Sequence, residues 1–318
     1  MRSVSFVSTF YNKDKYVDIV LEYIRGQNGI TDAEYIFVDD GSTDRTLEKL
    51  EQGARSFGNV KIISIENSGP AIATNVGLAE VSKEYVKLVD GDDLLHPDAT
   101  VKLIEACERC GTGLAFGDLL PYDAEEVLSG GRSPNLPPLD RAPIRVIADP
   151  LDVLAKTVLF NLSMTVIRSD LVKKTGGCDP RVFVQDVSLA LRMAYHTKFA
   201  KLDGAVGAWP RIEATRVSGN QAQVLHDVSY VFAFFIADHG DLPARLKRTL
   251  LRQAWGRAWK WASRRGGASV LSTQCLFNVL AQLRLLPPSF EMVERSCHPF
   301  RATDAIRVPD RDPSQARR

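Results

Sequence analysis

The sequence lacks a long hydrophobic run and a dense set of cysteines, and its first residues lack the apolar core typical of a secretory leader. Its longest apolar run, Val231–Ala237, is far shorter than the ~20 residues that span a bilayer. Residues 1–4 have no apolar stretch typical of a signal peptide, so a cleaved leader is not expected. Five scattered cysteines predict no disulfide framework and favour a reducing, cytoplasmic location. Cys107 and Cys110 form a CxxC without a second pair, which favours two helix cysteines over zinc.

The chain also has almost no net charge. Forty basic residues offset 39 acidic ones, a balance of +1 over 318 residues, which argues against an acidic disordered protein or a uniformly nucleic-acid-binding one. The charge is nevertheless divided along the chain. Residues 1–241 hold 25 basic and 34 acidic residues, whereas residues 242–290 hold nine basic residues and no acid. Residues 291–318 add six basic and five acidic residues.

Short β-branched runs alternate with helical periodicity in the first hundred residues. The pattern predicts strands at Val4–Thr9, Tyr35–Val38, Val60–Ile65 and Tyr85–Val89, and helices at Lys15–Arg25, Thr43–Phe57, Pro70–Val81 and after Pro97. Such alternation predicts an α/β fold with a mainly parallel sheet flanked by helices. Residues 119–150, rich in Pro, Gly and Asp, predict a loop or lid with little regular structure, and the chain reads as helical from Gln221.

Polar clusters follow three of the predicted strands, where parallel sheets bind ligands. Asp90, Asp92 and Asp93 crowd three carboxylates into four residues, which predicts either a Mg²⁺ or Mn²⁺ site or a turn that caps the next helix. Asp39, beside Tyr11, can accept from the imide N–H of a pyrimidine or belong to a plain Asp-Gly turn. Asn67–Gly69 allows close approach to a ribose or diphosphate, or starts a tightly packed helix.

Four blocks in this order carry a family resemblance. They are Ser8–Asn12, Phe37–Asp44, Asn67–Gly77 and Leu88–Asp93. Residues 4–98 thereby resemble the donor half of the inverting nucleotide-sugar glycosyltransferases of family 2. The resemblance implies the GT-A fold, a Rossmann-like central sheet flanked by helices, here with a C-terminal helical extension. It implies a catalytic domain over 1–220, with donor half 1–98 and acceptor half 99–220 containing the 119–150 loop. A basic helical region, 221–298, and a flexible tail, 299–318, follow.

The resemblance also implies site residues. Thr9, Tyr11 and Asp39 would hold the nucleoside, commonly a uridine, and Asp92 would bind Mn²⁺ or Mg²⁺. The full set of implied donor-binding residues is Thr9, Tyr11, Asp39, Asp40, Asn67, Gly69, Asn75, Asp90 and Gly91.

A weaker resemblance continues into the acceptor segments, which are Val166–Leu171, Gly176–Asp179 and Gln185–Arg192. It implies that Asp186 is the general base that takes the acceptor hydroxyl's proton; a helix cap is the alternative. Gln185 replaces the family's usual Glu, and Cys178 replaces its Phe. Glu213 stands where the family has a metal-binding His, so it is a candidate second metal ligand, with His226 as its competitor.

The basic residues of 244–265 share a predicted helix with an apolar face of Leu251, Trp255, Ala258, Trp259 and Ala262. Three interpretations stay open: packing of the apolar face inside the protein, peripheral contact with the inner face of a membrane, or binding of an anionic acceptor. Nucleic acid is not expected, because no binding motif accompanies the charge.

We therefore expect a metal-dependent transferase of the hexosyl or N-acetylhexosaminyl type, which moves a sugar from a nucleotide-diphosphate donor, UDP-linked, to an acceptor hydroxyl in surface glycan or polysaccharide biosynthesis. The acceptor would be a saccharide or a lipid-linked saccharide. The Gln-x-x-Arg-Trp motif of processive relatives is absent, which favours single additions. One rival is a nucleotidyltransferase, which would need a Gly-rich basic loop after the first strand. The other is a catalytically silent member that binds nucleotide-sugar as a partner or scaffold.

Overall fold

The computed structural model describes residues 2–157, 161–211, 220–265 and 268–302, and residue 306. The chain divides into two compact units. The first consists of Met1–Pro150, Phe160–Cys178 and Met193–Ile212, and the second of Leu151–Leu159, Asp179–Arg192 and Glu213–Arg318. This division groups Asp179–Arg192 with the C-terminal helices, whereas the sequence analysis places it in a domain spanning 1–220.

The described residues form nine strands and thirteen α-helices. The strands are β1 (Ser3–Phe10), β2 (Asp32–Asp39), β3 (Val60–Ser64), β4 (Tyr85–Asp90), β5 (Leu94–Leu95), β6 (Leu114–Tyr122), β7 (Ile144–Ile147), β8 (Thr165–Arg168) and β9 (Phe199–Pro210). The helices are α1 (Val17–Arg25), α2 (Thr46–Ala54), α3 (Pro70–Ala79), α4 (Ala99–Cys110), α5 (Ala124–Leu128), α6 (Pro150–Lys156), α7 (Ser169–Thr175), α8 (Gln185–Ala194), α9 (Gln221–Asp238), α10 (Ala244–Arg265), α11 (Thr273–Gln282), α12 (Phe290–Arg295) and α13 (His298–Arg301).

All nine strands join one sheet in the first unit. Its order is β3-β2-β1-β4-β8-β6-β9-β5, with β7 paired to β9. The four strands β3, β2, β1 and β4 are parallel, as predicted, whereas β8 pairs antiparallel with both β4 and β6. The α/β prediction is confirmed, and the sheet is mixed beyond β4.

The core of this unit explains why its first helix forms where the periodicity predicts it. Val17, Val20, Leu21 and Ile24 recur at helical spacing and are all buried in α1. They join one hydrophobic cluster with β1 residues such as Phe6. Burial of this face, more than intrinsic propensity, stabilises a nine-residue helix.

The prediction of little regular structure for residues 119–150 is confirmed for residues 129–143 but is wrong on both sides of them. β6 continues to Tyr122, and Asp123 caps α5 by accepting a hydrogen bond from the Glu126 backbone N–H at 3.2 Å. β7 pairs antiparallel with β9, with Ile144 opposite Leu202. Its hydrogen-bond partner lies more than fifty residues downstream, so local composition, rich in turn formers, does not reveal it.

The second unit is helical from Gln221, as predicted. Most of the predicted apolar face of α10 is buried, whereas its Trp259 is only half-buried. Trp255 stacks on Phe277 of α11 at 4.8 Å between ring centroids, and Trp261, which the prediction left out, contacts Phe300 of α13. Internal packing of this face was one of the three interpretations of the basic segment. In the part of the chain that the structure describes, no helix is long and apolar enough to cross a membrane.

Candidate functional site

Three of the predicted donor residues lie on neighbouring strands at one edge of the sheet. Parallel pairing sets Thr9 of β1 opposite Asp90 of β4, and Phe10 opposite Asp39 of β2. Gly91 follows directly, and its backbone N–H donates to Thr9 O at 3.0 Å. A polar edge is thus assembled at the carboxyl ends of adjacent parallel strands, where such sheets bind ligands.

Asp39 has one carboxylate oxygen in use and one without a partner. Its Oδ2 accepts from the Ser42 backbone N–H at 3.3 Å and from Ser64 Oγ at 3.2 Å. Its Oδ1 is buried and has no hydrogen-bond partner among the described residues. Because a buried, unpaired acceptor is costly, this oxygen is a candidate acceptor for a ligand N–H.

Asp40, in contrast, uses both of its carboxylate oxygens in hydrogen bonds to the protein's own backbone. Its two oxygens accept from the backbone N–H groups of Ser68 at 2.8 Å and Gly69 at 3.0 Å. Burial raises the pKa of Asp40, and these two bonds oppose the shift. Gly69 adopts φ +88° immediately before Pro70 begins α3, a conformation that suits glycine. Asp40 therefore positions the loop that carries Asn67 and Gly69.

The loop after β4 holds the acidic cluster. Asp92 Oδ2 forms an ion pair with Lys13 Nζ at 2.5 Å, and the Asp92 carbonyl accepts from the Tyr122 hydroxyl at 2.8 Å. The Asp92 side chain is 12% exposed. Gly91 is tightly enclosed, since a Cβ there would lie 2.6 Å from the Phe10 ring and 2.8 Å from Thr9 O. These contacts fix the backbone that presents the Asp92 carboxylate.

Asp93 belongs to the same loop, but its side chain is buried and has a different role. Burial, with the neighbouring carboxylates of Asp90 and Asp92, raises the pKa of Asp93 well above its usual value, which favours the neutral acid. Asn161 Nδ2 contacts Asp93 Oδ2 at 3.2 Å and Asp90 Oδ2 at 3.4 Å. Asn161 Oδ1 also accepts from the Ser163 backbone N–H at 2.6 Å. One amide thus joins the acidic loop to the segment before β8.

Lys87 is a fully buried cation in the strand that leads to this loop. Its Nζ donates to the backbone carbonyls of Ser163 and Thr165. Burial lowers the pKa of Lys87 to about 7, and the carboxylates of Asp93 and Asp90 oppose the shift. Lys87 therefore joins the strand that leads to the acidic loop to the backbone of Ser163 and Thr165, and its side chain does not reach solvent.

Asn75 is bonded to the start of the predicted acceptor segment. Its Nδ2 donates to Cys178 O at 2.9 Å, and its Oδ1 accepts from the Cys178 N–H at 2.7 Å. Gly177 has φ +78°, and a Cβ there would lie 2.3 Å from Asn75 Oδ1. Asn75 therefore holds a Gly-Gly turn in place rather than presenting a free amide.

Asp186, the predicted base, belongs to the second unit, in the first turn of α8, which Gln185 begins. Its Oδ1 accepts from the Val187 backbone N–H at 2.9 Å. Burial raises the pKa of Asp186 to about 6, against the effect of that bond. A carboxylate that is half-buried, still ionised at neutral pH and more basic than usual is suited to general-base chemistry.

The remaining predicted site residues are exposed, lie outside the described residues or are buried in the core. Tyr11 is 37% exposed, and Asn67 is exposed as well. Glu213 lies outside the described residues. His226 is fully buried, with its ring bonded to Asp227 at 2.8 Å and to Arg301 at 3.2 Å, which is the arrangement of a structural histidine. Within the described ranges, no group of three or more His, Cys, Asp or Glu side chains could hold a metal ion.

Sequence reasoning missed three participants. Lys13 directly follows the Ser8–Asn12 block, so its position was a usable signal. Lys87 is a charged residue inside an apolar strand, which signals a buried, partnered cation. Asn161 gave no signal, because its partners lie 68 and 71 residues away along the chain.

Comparison with known proteins identifies the first half of the chain. Residues 5–157 match the model of "Glycosyl transferase family 2". A teichoic acid poly(glycerol phosphate) polymerase of Staphylococcus epidermidis is 35% identical over 107 residues, which are 33% of this chain and 15% of that protein. The chain therefore aligns with only a small part of that curated relative.

Two solved structures share the fold across nearly the whole chain. S. aureus TarS residues 1–349 in complex with UDP-GlcNAc superposes with a TM-score of 0.56 at 16% identity, covering 98% of both chains. The mannosyltransferase PcManGT from Pyrobaculum calidifontis, in complex with GDP-Man and Mn²⁺, superposes with a TM-score of 0.61 at 19% identity, covering 95% of this chain and 86% of that one. The fold is GT-A, as expected, and residues 5–157 of the chain are similar to glycosyltransferase family 2.

Proposed function

We propose that this protein is a metal-dependent inverting glycosyltransferase that uses a UDP-sugar donor. The observation that carries the proposal is the polar edge formed by Thr9, Asp39 and Asp90 on adjacent strands. Asp39 adds a buried carboxylate oxygen with no partner among the described residues, which suits the imide N–H of a uracil. The complex of TarS with UDP-GlcNAc supports this choice of nucleotide.

The donor set at the acidic loop fits a divalent cation. Asp92 offers an oxygen ligand that already faces a cation, the Lys13 ammonium, and Mg²⁺ and Mn²⁺ are commonly bound by one or two carboxylates plus phosphate oxygens. Asp92 would hold the metal, with Glu213 as a proposed second ligand. The metal, when bound, supplies positive charge that stabilises the departing diphosphate. Gly91 and Tyr122 keep the Asp92 backbone in place.

Asp186 would accept the proton of the acceptor hydroxyl as that oxygen attacks the anomeric carbon. Inversion follows, because the attack comes from the face opposite the leaving diphosphate. Its raised pKa, about 6, makes the carboxylate a stronger base than a solvent-exposed aspartate, while leaving it about 90% ionised at pH 7. Asn75, bonded to Cys178, would steady the segment that leads toward this base.

The acceptor is proposed to be a saccharide or a lipid-linked saccharide in surface glycan biosynthesis. The relative named for teichoic acid synthesis supports this class. The sugar moved is proposed to be a hexose or an N-acetylhexosamine. A GDP-sugar is the second candidate donor, favoured by the complex of PcManGT with GDP-Man.

The test is nucleotide release from UDP-, GDP- and dTDP-sugars with Mn²⁺, measured for the wild type and for Asp186→Asn. We expect release from a UDP-sugar that the variant abolishes without loss of UDP binding. Equal rates in both proteins would overturn the assignment of the base. UDP binding without turnover of any donor would instead favour a silent nucleotide-sugar-binding member.

A further inference from the structure

The second unit exposes an unusual number of aliphatic side chains around α11. Of the ten large hydrophobic residues that are exposed in the described part of the chain, six fall within sixteen residues. We call these six the α11 patch: Val270 (76% exposed), Leu271 (93%), Leu276 (55%), Val279 (45%), Leu283 (62%) and Leu285 (66%). Scattered exposed hydrophobics are ordinary, but a contiguous apolar patch marks an interaction surface.

Helix α11 has two apolar faces. One packs against α10, and the α11 patch includes the other, which is exposed. Leu276, Val279 and Leu283 are spaced by three and four residues, so they form one stripe along α11 and its C-cap. Phe277 stacks on Trp255 of α10, and Ala281 is 4% exposed. Core formation therefore accounts for Phe277 and Ala281 but leaves the stripe unexplained. Val270 and Leu271, just before the helix along the chain, and Leu285, just after it, are exposed as well.

The charge of the surrounding segment is of one sign. Residues 242–290 contain nine Lys or Arg residues and no Asp or Glu. Exposed Arg264 and Arg265 close α10 just before the patch, and exposed Arg284 sits between Leu283 and Leu285. Aliphatic side chains interleaved with basic ones fit a partner that is both apolar and anionic.

We propose that the α11 patch docks the protein on an anionic lipid bilayer. The aliphatic side chains would enter the boundary between headgroups and acyl chains, and the arginines would contact lipid phosphates. A second copy of the chain fits less well, because it would oppose one basic, acid-free segment with another. A soluble polyanion would neutralise the arginines but leave six aliphatic side chains in water. The docking element is thus α11 and its flanks, whereas Trp255 and Trp261 of α10 pack inside the second unit.

The test is sedimentation of the full chain with vesicles of phosphatidylcholine alone or with about 30% phosphatidylglycerol, in about 0.1 M NaCl. We expect at least about tenfold stronger binding to the anionic vesicles, weakened by added salt. The double variant Leu276→Gln/Leu283→Gln should bind about tenfold more weakly. Leu120→Gln/Val146→Gln, which replaces exposed hydrophobics of β6 and β7, is the matched control and should bind as the wild type does.

A second variant guards against misfolding as a cause. Arg264→Gln/Arg284→Gln changes only exposed side chains and should reduce binding to anionic vesicles while leaving the melting temperature unchanged. Equal binding by the wild type and Leu276→Gln/Leu283→Gln would overturn the proposal, as would no binding to anionic vesicles. A dimer in solution that Leu276→Gln/Leu283→Gln dissociates, without vesicle binding, would assign the patch to a second copy instead. None of these outcomes depends on sugar transfer, so this proposal and the proposed function fail separately.

Discussion

Asp186→Asn should stabilise the protein while abolishing sugar transfer. Burial raises the pKa of Asp186 from its usual 3.8 to about 6, so the folded protein holds the ionised form at a cost of at most about 3 kcal/mol. The isosteric asparagine keeps an oxygen for the Val187 N–H and has no charge to desolvate. At pH 7 the variant should therefore melt roughly 5 °C higher.

The sign of the pH dependence follows from linkage. Between about pH 4 and pH 6 the folded protein keeps a proton on Asp186 that the unfolded chain has released, so the wild type loses stability as pH rises through this window. The gain of Asp186→Asn should consequently be full at pH 7 and disappear below about pH 4. The rate of transfer by the wild type should rise about tenfold between pH 5 and pH 7, as the base ionises.

The measurements are melting temperature from pH 4 to pH 8 and nucleotide release over the same range. Asp170→Asn is the matched control, because Asp170 also lies in the first turn of a helix, α7, and accepts from the next backbone N–H at 2.8 Å. Its side chain is 66% exposed, so the control should gain no stability and keep full activity. If Asp186→Asn melts lower than the wild type at pH 7, Asp186 is a stabilising helix-terminal charge, and the reasoning is refuted.

Three further changes test other parts of the account. Lys13→Met should bind Mn²⁺ about fivefold more tightly in the presence of UDP, since Asp92 loses its competing cation; electron paramagnetic resonance of free Mn²⁺ measures this, and weaker binding would contradict it. Asn75→Ala should lower the free energy of unfolding in urea by about 2 kcal/mol, because both bonds to Cys178 are lost; an unchanged value would show that the bonds do not matter. Burial lowers the pKa of Lys87 to about 7, so the unfolded chain binds more protons above that pH and the wild type should gain stability between pH 7 and pH 10. Lys87→Met should lack this gain in a pH series of melts, and an identical slope in both proteins would refute the assignment.

The elements of residues 1–110 could be predicted closely because their signals are local. Each of the four predicted strands and four predicted helices forms, with ends that shift by at most three residues. The strand ends then bring Thr9, Asp39 and Asp90 together, because parallel pairing sets them on adjacent register positions. Hydrophobic periodicity and short connections suffice for this kind of inference.

What the sequence could not predict rests on non-local partners. The strand Ile144–Ile147 forms only because β9 pairs with it, and the ion pair of Lys13 with Asp92 joins residues 79 apart. The two bonds of Asn75 likewise reach 103 residues along the chain to Cys178. The motif match predicted that Asn75 binds the donor. Only the fold shows that its amide bonds to the backbone of Cys178 and so holds the Gly-Gly turn.

Calorimetric titration with UDP and with GDP, each with Mn²⁺, tests the central claim most directly. A UDP-sugar donor predicts that UDP binds at least about tenfold more tightly than GDP. The Asp39 oxygen that has no partner among the described residues would accept the N–H of the base, so Asp39→Asn should weaken UDP binding about tenfold. Tighter binding of GDP, or no binding of either nucleotide, would contradict the account.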